Sequence, residues 1–369
     1  MPQRKVVGVM FGGRSGEHAV SLVSAASVIR AIDRHRYTVV PIGIRRDGSL
    51  ANVAQMWKML ALTAGEKKEL GLAPEGSRPV VEFRSGQGKP LISLSSRRYS
   101  KLDAVFPVLH GPFGEDGIVQ GLMELTGVPY VGSGVTGSAA GMDKEVMKRL
   151  FRDAGLPIVP FMVFSASQWE KGSGQCMDRV EERFQSPYFV KPVNLGSSVG
   201  VSKSADRASL RRHIDWALQF DTRVIVEQGL SVREVECAVL GNDEPEVSVA
   251  GEICSRQDFY DYDAKYKDDT LELVIPAALS EHQAGTLRDY ARRSFEVVQA
   301  SGLARVDFFL EKGTGQIYVN EINTIPGFTS VSMYPKLWEA SGVTYPDLID
   351  RLIHLGIARW RQRARLRMS

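Results

Sequence analysis

The stretch from Ala304 to Ser330 constrains this chain more than any other. Two apolar runs, Ala304-Arg-Val-Asp-Phe-Phe-Leu310 and Ile317-Tyr-Val-Asn-Glu-Ile-Asn323, flank Gly313-Thr314-Gly315. That spacing reads as a β-hairpin with a three-residue loop and a glycine for the left-handed position. Such a loop pairs Lys312 with Gln316, and so sets Asp307 opposite Glu321 and Arg305 opposite Asn323. Side chains alternate along a strand, so all four project from one face. Two carboxylates and an amide oxygen on one face suit a hard cation such as Mg²⁺ carrying phosphate, and suit zinc poorly. The inference is sensitive, because a loop one residue longer or shorter would send Asp307 and Glu321 to opposite faces. A polar, solvated hairpin face is the competing account.

At 369 residues the chain has room for two or three domains of about 150 residues each. With 43% hydrophobic and 24% charged residues it has the composition of an ordinary globular protein. A net charge of +3 is too small to argue for nucleic acid. Met1-Pro-Gln-Arg-Lys5 leads straight into a strand and lacks the apolar core of a signal peptide, and no run approaches membrane-spanning length. Three cysteines, Cys176, Cys237 and Cys254, lack metal-ligand spacing and fit reduced thiols. The six histidines show no paired spacing. A cytosolic chain is expected.

Read for organisation, Lys5–Phe11, a helix to about Ile32 and Thr38–Ile44 form a βαβ opening of an open α/β sheet. Residues 56–96 read as an irregular, Gly-rich excursion. A strand over Asp103–Leu109, a helix into Thr126 and a short strand over Val128–Val131 complete this part. Then come a helix over Met142–Ala154, strands Tyr188–Val193 and Gly200–Ser204, a helix Ala205–Phe220 and a strand Val224–Gln228. Strands Glu234–Leu240 and Glu246–Ile253, a helix Glu281–Ser301, the hairpin and a final helix from about Pro346 follow. The expected domains are 1–133, an N-terminal α/β domain; 134–228, a central α+β domain; and 229–369, a C-terminal α+β domain with the metal site and a loop poised as a lid.

Several segments carry chemistry. Gly132-Ser-Gly134-Val-Thr-Gly137 matches the dinucleotide fingerprint formally, but the acidic residue due about twenty positions later falls inside a helix at Arg152-Asp153, so these glycines read as an interdomain turn. No GxxxxGK[ST] phosphate loop occurs. Lys191-Pro-Val-Asn-Leu-Gly196-Ser197-Ser198-Val-Gly200 offers backbone N–H groups and hydroxyls that can wrap phosphate oxygens, with Lys191 on the incoming strand. Alone it is equally a Gly-Ser turn. Asp258–Asp269 crowds four aromatics into nine residues without strand or helix period, as a water-excluding lid would. Glu17 follows a strand-turn at the carboxyl edge of the first sheet, a usual ligand site, but is also a plausible helix cap.

Taken in order, Gly12-Gly13-Arg-Ser-Gly-Glu17-His-Ala-Val20-Ser21, His110-Gly-Pro-Phe-Gly-Glu115-Asp116-Gly117, Met142-Asp-Lys144, Lys191 to Gly200, Phe259 to Tyr266, and Arg305-Val-Asp307 to Ser332-Met333 resemble the ATP-grasp superfamily, and within it the D-alanine–D-alanine ligases. The resemblance runs over nearly the whole chain; only the 56–96 excursion departs from the shorter members. It implies a three-domain fold with ATP clamped between the central and C-terminal sheets. Lys144, Lys191, Ser198 and, from the lid, Lys265 would contact phosphates; Glu227, Gln228 and Leu230 would line the adenine, and Glu234 the ribose. Asp307, Glu321 and Asn323 would hold two Mg²⁺ or Mn²⁺. Glu17, Ser197 and Tyr266 would form a hydrogen-bonded triad, with Glu17 on the ammonium of the first D-alanine and Arg305 on the tetrahedral intermediate. Val20, His110, Gly327, Ser332 and Met333 would shape the D-alanine subsites.

The resemblance further implies ATP-dependent joining of two D-alanines through an acyl phosphate, for peptidoglycan synthesis in a bacterial cytoplasm, by a homodimer with no nucleic-acid or membrane partner. A same-fold ligase making D-alanyl-D-lactate or D-alanyl-D-serine, and a non-catalytic nucleotide-binding subunit, are the alternatives. Met333 stands where depsipeptide-forming relatives tend to carry a charge, which favours the dipeptide. The basic end, Arg359-Trp-Arg-Gln-Arg-Ala-Arg-Leu-Arg367, spreads its charge around a helix and reads as a solvated terminus.

Overall fold

In a computed structural model of the chain, residues 4–63, 66, 82–84, 91–93, 102–254 and 272–367 are described. The first part is β1 (Lys5–Gly12), α1 (His18–Ala31), β2 (Tyr37–Ile44), α2 (Val53–Leu60), β3 (Glu82–Arg84), β4 (Leu91–Ser93), β5 (Ala104–Pro107) and α3 (Ile118–Thr126). β1 lies between β2 and β5, parallel to both, and the strands are apolar and buried as such sheets require. Two expectations fail here. The excursion contains a helix, α2, whose Met56, Trp57 and Leu60 are buried, and β3 pairs with β4. The strand expected over Val128–Val131 is a single bridge from Tyr130 to Val105.

The middle of the chain runs α4 (Val135–Met142), α5 (Lys144–Asp153), β6 (Phe161–Ser165), α6 (Ala166–Arg183), β7 (Tyr188–Pro192), β8 (Ser202–Ser204), α7 (Arg207–Ala217) and β9 (Arg223–Gln228). The strands form an antiparallel sheet in the order β6-β9-β7-β8, with its own core of residues such as Phe164, Val190, Leu210 and Val226. Sequence patterning missed α6, which is polar and interrupted at Gly172. The last part is β10 (Val232–Gly241), β11 (Glu246–Cys254), β12 (Glu272–Val274), α8 (Glu281–Val297), β13 (Gly302–Glu311), β14 (Ile317–Asn323), α9 (Met333–Ala340) and α10 (Tyr345–Ala364). Its sheet has the order β12-β11-β10-β13-β14.

The two faces of that sheet do different things. Val235, Cys237 and Val239 on β10, with Val306, Phe308 and Leu310 on β13, point into a core shared with α8. The same core takes Ala140 from α4 and Met147 and Phe151 from α5, so these two helices pack with the C-terminal sheet although they precede the central one in the chain. On the other face, Ala238, Leu240 and Leu303 join α9, α10 and the first sheet in a single core that includes Phe11, Phe106, Tyr334, Trp338 and Ile353. α10 is therefore a strap between the first and last parts. Its Asp350 accepts hydrogen bonds from Arg36 and Tyr37 at 2.7 Å each, and its Arg359 stacks 4.2 Å from the centroid of the Tyr130 ring. Arg363 pairs with Glu124 at 2.7 Å, so the basic end is not wholly solvated. Gly134 caps α4 and Gly137 packs so closely that an added Cβ would lie 2.5 Å from the Gln299 carbonyl oxygen.

Candidate active site

The cleft has its floor where the first sheet turns into α1. Gly12 and Gly13 both take positive φ, and Ser21 accepts from Gly12 N–H at 2.8 Å while donating to the Val108 carbonyl. These contacts tie the first turn of α1 to the end of β5. Glu17 stands at the N-cap of α1, yet its side chain makes no capping hydrogen bond. It accepts instead from the hydroxyl of Ser197, which lies 180 positions away in the loop between β7 and β8. Thus Glu17 is not merely a helix cap.

The loop after β5 closes the same pocket. His110 is 3% exposed; its Nδ1 lies 2.8 Å from the carbonyl of Ile325 and its Nε2 3.1 Å from Ser24 Oγ. The carbonyl can only accept, so Nδ1 carries the proton and Ser24 donates to Nε2. Burial pushes the His110 pKa down, with Glu17 opposing, and a neutral ring agrees with that tautomer. Glu115 accepts from Gly111 N–H at 2.7 Å and from Ile325 N–H at 2.8 Å. Both polar groups of the Ile325 backbone are therefore held by one N-terminal loop. Burial and the Glu17 charge raise the Glu115 carboxyl to about 8, against the pull of the two N–H groups.

Across the cleft, the loop from β7 to β8 holds two successive serines at positive φ, Ser197 at 51° and Ser198 at 57°, a strained arrangement for residues other than glycine. It is braced at one end by Asp221, which accepts from Asn194 N–H at 2.7 Å. At its middle, Lys144 donates to the Leu195 carbonyl at 2.6 Å, and its Nζ also lies 3.7 Å from Glu321. Lys144 and Lys148 share the buried face of α5 with Met147 and Phe151, at the spacing of one helical turn. Lys148 reaches Glu227 at 2.7 Å, and Lys191 reaches the other oxygen of the same carboxylate at 2.5 Å. Burial favours the neutral acid of Glu227, but the two ammonium groups outweigh it and hold the carboxyl down to about 2.

The hairpin supplies the third wall. Arg305 sits opposite Asn323 and Asp307 opposite Glu321, as the sequence predicts, but by a different route. The turn is one residue longer than expected, because Glu311 N–H bonds to the Gln316 carbonyl at 2.9 Å and Leu310 pairs with Ile317. A β-bulge at Asn320, between Phe308↔Val319 and Asp307↔Glu321, restores the register. Arg305 donates two hydrogen bonds of 2.7 Å to Asp307 and also pairs with Glu236 at 2.8 Å, while Asn323 donates to Asp307 at 2.9 Å. Burial would weaken the Arg305 charge, but Asp307 and Glu236 more than offset it and raise its pKa.

The remaining expected residues divide. The Gln228 side chain is engaged with the Gln185 backbone, accepting at 2.9 Å and donating at 2.8 Å, and its own backbone N–H donates to the Pro160 carbonyl at 3.1 Å. Leu230, Glu234 and Val20 are half-buried. Glu234 lies beside Phe309 on the cleft face of β10. Gly327 packs on Ser332, whose Oγ accepts from Thr329 N–H at 3.1 Å. Met333 is 7% exposed and its sulfur sits 2.8 Å from where a Cβ on Gly251 would be, so it packs in the core. Lys265 and Tyr266 lie outside the described residues, as does the expected lid. Patterning missed three polar residues. Lys148 could have been found four positions after Lys144, Glu236 by its alternation with Glu234, and Glu115 inside a motif that was read but given no role.

Two antiparallel α+β units facing one another beside an open parallel sheet, with lysines on one unit and a carboxylate-bearing hairpin on the other, define an ATP-grasp ligase fold. Residues 6–133 match the family model of the D-Ala D-Ala ligase N-terminus and residues 150–354 that of the C-terminus, and the chain belongs to the D-alanine–D-alanine ligase family. It is 48% identical to the D-alanine–D-alanine ligase of Heliobacterium modesticaldum over 98% of this chain and 97% of that one. It is 44% identical to that of Acetivibrio thermocellus over 98% of both. Among solved structures, the D-alanine-D-alanine ligase from Coxiella burnetii superposes with a TM-score of 0.83 at 36% identity, covering 98% of this chain and 96% of that one. VanG D-Ala:D-Ser ligase from Enterococcus faecalis superposes at 0.82 and 35% identity, covering 96% and 100%.

Proposed function

We propose that this chain joins two molecules of D-alanine to D-alanyl-D-alanine at the expense of ATP, in a bacterial cytoplasm and as a homodimer, supplying a peptidoglycan precursor. The observation that carries this reading is the meeting of three parts of the chain at one cleft. Glu17 bonds to Ser197, and both Glu17 and Arg305 act electrostatically on the buried His110 and the half-buried Glu115. In the proposed reaction a carboxylate oxygen of the first D-alanine bonds to the γ-phosphorus as the bond to ADP breaks. The amine of the second D-alanine, its ammonium having lost one proton, then bonds to the acyl carbon. Phosphate leaves with the electrons of the carbon–oxygen bond, and the new amide nitrogen gives up a second proton.

Glu17 would hold the ammonium of the first D-alanine, with Val20 and His110 beside it, and Gly327 and Ser332 would border the second. Negative charge builds on oxygen in both steps, and Lys144, Lys191 and Arg305 can stabilise it electrostatically. The Ser197–Ser198 loop offers donors for the phosphates, and Glu227 to Leu230 with Glu234 would hold the nucleoside. Among the described residues no three His, Cys, Asp or Glu side chains gather as a metal group. Asp307, Glu321 and Asn323 are instead two carboxylates and an amide, an all-oxygen donor set that fits Mg²⁺ or Mn²⁺ whose other ligands are phosphate oxygens or water. Two such ions would neutralise the polyphosphate when bound.

D-alanyl-D-serine ligation is the second reading, favoured by the likeness to the Enterococcus faecalis enzyme. The higher identities, 43–48%, are to relatives named D-alanine–D-alanine ligase. Phosphate release measured with ATP and D-alanine alone, then with D-serine or D-lactate added, decides between them. Product that is chiefly mixed dipeptide or depsipeptide would overturn the first reading, and no release with any of the three would overturn both.

A further inference from the structure

Lys148 has no part in the chemistry above, yet it is among the most deeply buried charged side chains of the molecule, 1% exposed. Its partner Glu227 is 3% exposed and is shared with Lys191, so two ammonium groups flank one carboxylate and the buried trio carries a net positive charge. The two lysines are not equivalent. Lys148 projects from the buried face of α5 and is almost wholly enclosed, whereas Lys191 is 12% exposed and its Nζ lies 5.9 Å from the centroid of the Phe309 ring, on the facing C-terminal sheet. Lys191 is therefore the member of the trio at the cleft.

An anion arriving at Lys191 competes with Glu227 for the same ammonium. Were Lys191 the only partner of Glu227, its departure would leave a buried carboxylate uncompensated, which is strongly unfavourable. Lys148 removes that obstacle, because it stays on the other carboxylate oxygen. We propose that Lys148 is a positioning residue for nucleotide binding, the standing counter-ion of Glu227 that permits Lys191 to turn from Glu227 to a phosphate. The inference rests on the reading of Lys191 as a phosphate contact, and it assigns no contact between Lys148 and the nucleotide.

The test compares Lys148→Met, Glu227→Gln, the double variant Lys148→Met with Glu227→Gln, and Lys191→Met in the full chain, by KM for ATP and D-alanine and by the affinity for adenosine. Lys148→Met should raise KM for ATP at least about tenfold, since Glu227 then holds Lys191 as its sole counter-ion. KM for D-alanine and adenosine affinity should stay within about twofold, because neither ligand needs Lys191. The double variant removes both charges, so measured against Glu227→Gln alone, loss of Lys148 should change KM for ATP by no more than about threefold, a suppression that a space-filling role for Lys148 would not give. An unchanged KM for ATP in Lys148→Met, or the same tenfold cost of Lys148→Met on the Glu227→Gln background, overturns the inference. If Lys191→Met itself leaves KM for ATP unchanged, the phosphate reading of Lys191 is what fails. If Lys148→Met does not fold, Glu227→Gln and the double variant are compared instead. Equal KM for ATP is expected, and a difference of about tenfold overturns the proposal.

Discussion

Substituting Glu115 by Gln should change how stability depends on pH. In the fold this carboxyl is raised from 4.5 to about 8, by burial first and by Glu17 second, while the N–H groups of Gly111 and Ile325 oppose the rise. The span from 4.5 to about 8 corresponds to at most about 5 kcal/mol, at about 1.4 kcal/mol per pKa unit. The sign follows from linkage. A group whose folded pKa lies above its unfolded value binds its proton more tightly in the fold, so its contribution is complete below 4.5 and is lost as pH rises through 8. Gln has nearly the same shape and keeps one acceptor oxygen but cannot titrate. One N–H then faces an amide N–H₂, costing about 1–3 kcal/mol at low pH. Melting temperatures of wild type and Glu115→Gln, taken from pH 5 to pH 9, give a difference curve in which all other titrating groups cancel. Wild type should be the more stable at low pH and lose that lead as pH rises, by several degrees in all at about 1–2 °C per kcal/mol for a chain of this length. Parallel curves would refute the assignment and show that the two N–H groups keep Glu115 ionised throughout.

Glu321→Gln removes a full charge from the proposed metal set; turnover should fall by at least about a hundredfold while the melting temperature holds, and near-normal phosphate release at ordinary Mg²⁺ would exclude Glu321 as a ligand. Deleting residues 361–369 removes the ion pair between Arg363 and Glu124, an exposed contact of about 0–1 kcal/mol, so activity should stay within a few-fold and the melting temperature within about 1 °C. A larger loss in either, or salt-sensitive nucleic-acid binding that the deletion abolishes, would show that this end does more. Gly137→Ala drives a Cβ to 2.5 Å from the Gln299 carbonyl oxygen, and overpacking of that kind should destabilise by about 1–3 kcal/mol in thermal melts.

Local patterning carried most of the elements of the two outer sheets and the polar face of the hairpin, because apolar alternation and glycine turns are properties of short segments. It also placed Asp307 opposite Glu321, though for a reason that proved incomplete. The expected three-residue loop is really longer, and the bulge at Asn320 cancels the slip. A trace of that bulge is present in the chain itself: the buried residues of β14 are Ile317, Val319 and Ile322, where strict alternation would have continued at position 321. Polar or weakly periodic helices, α6 and α9, left no such trace.

What pairs with what across long separations was settled elsewhere. Glu17 could be a cap or a ligand until the fold brought Ser197 to it, and Glu227 and Lys148 became partners only when the fold laid α5 beside β9. The motif around Met333 says nothing of its neighbours, and only the fold packs it against Gly251. Charges and hydrogen bonds of this kind are set by distance in space and by exclusion of water, and a linear pattern contains neither. Residue types and their order therefore identify the family, while the pKa of Glu115, the sharing of Glu227 between two lysines and the clamp on Ile325 exist only because three parts of the chain close on one cleft.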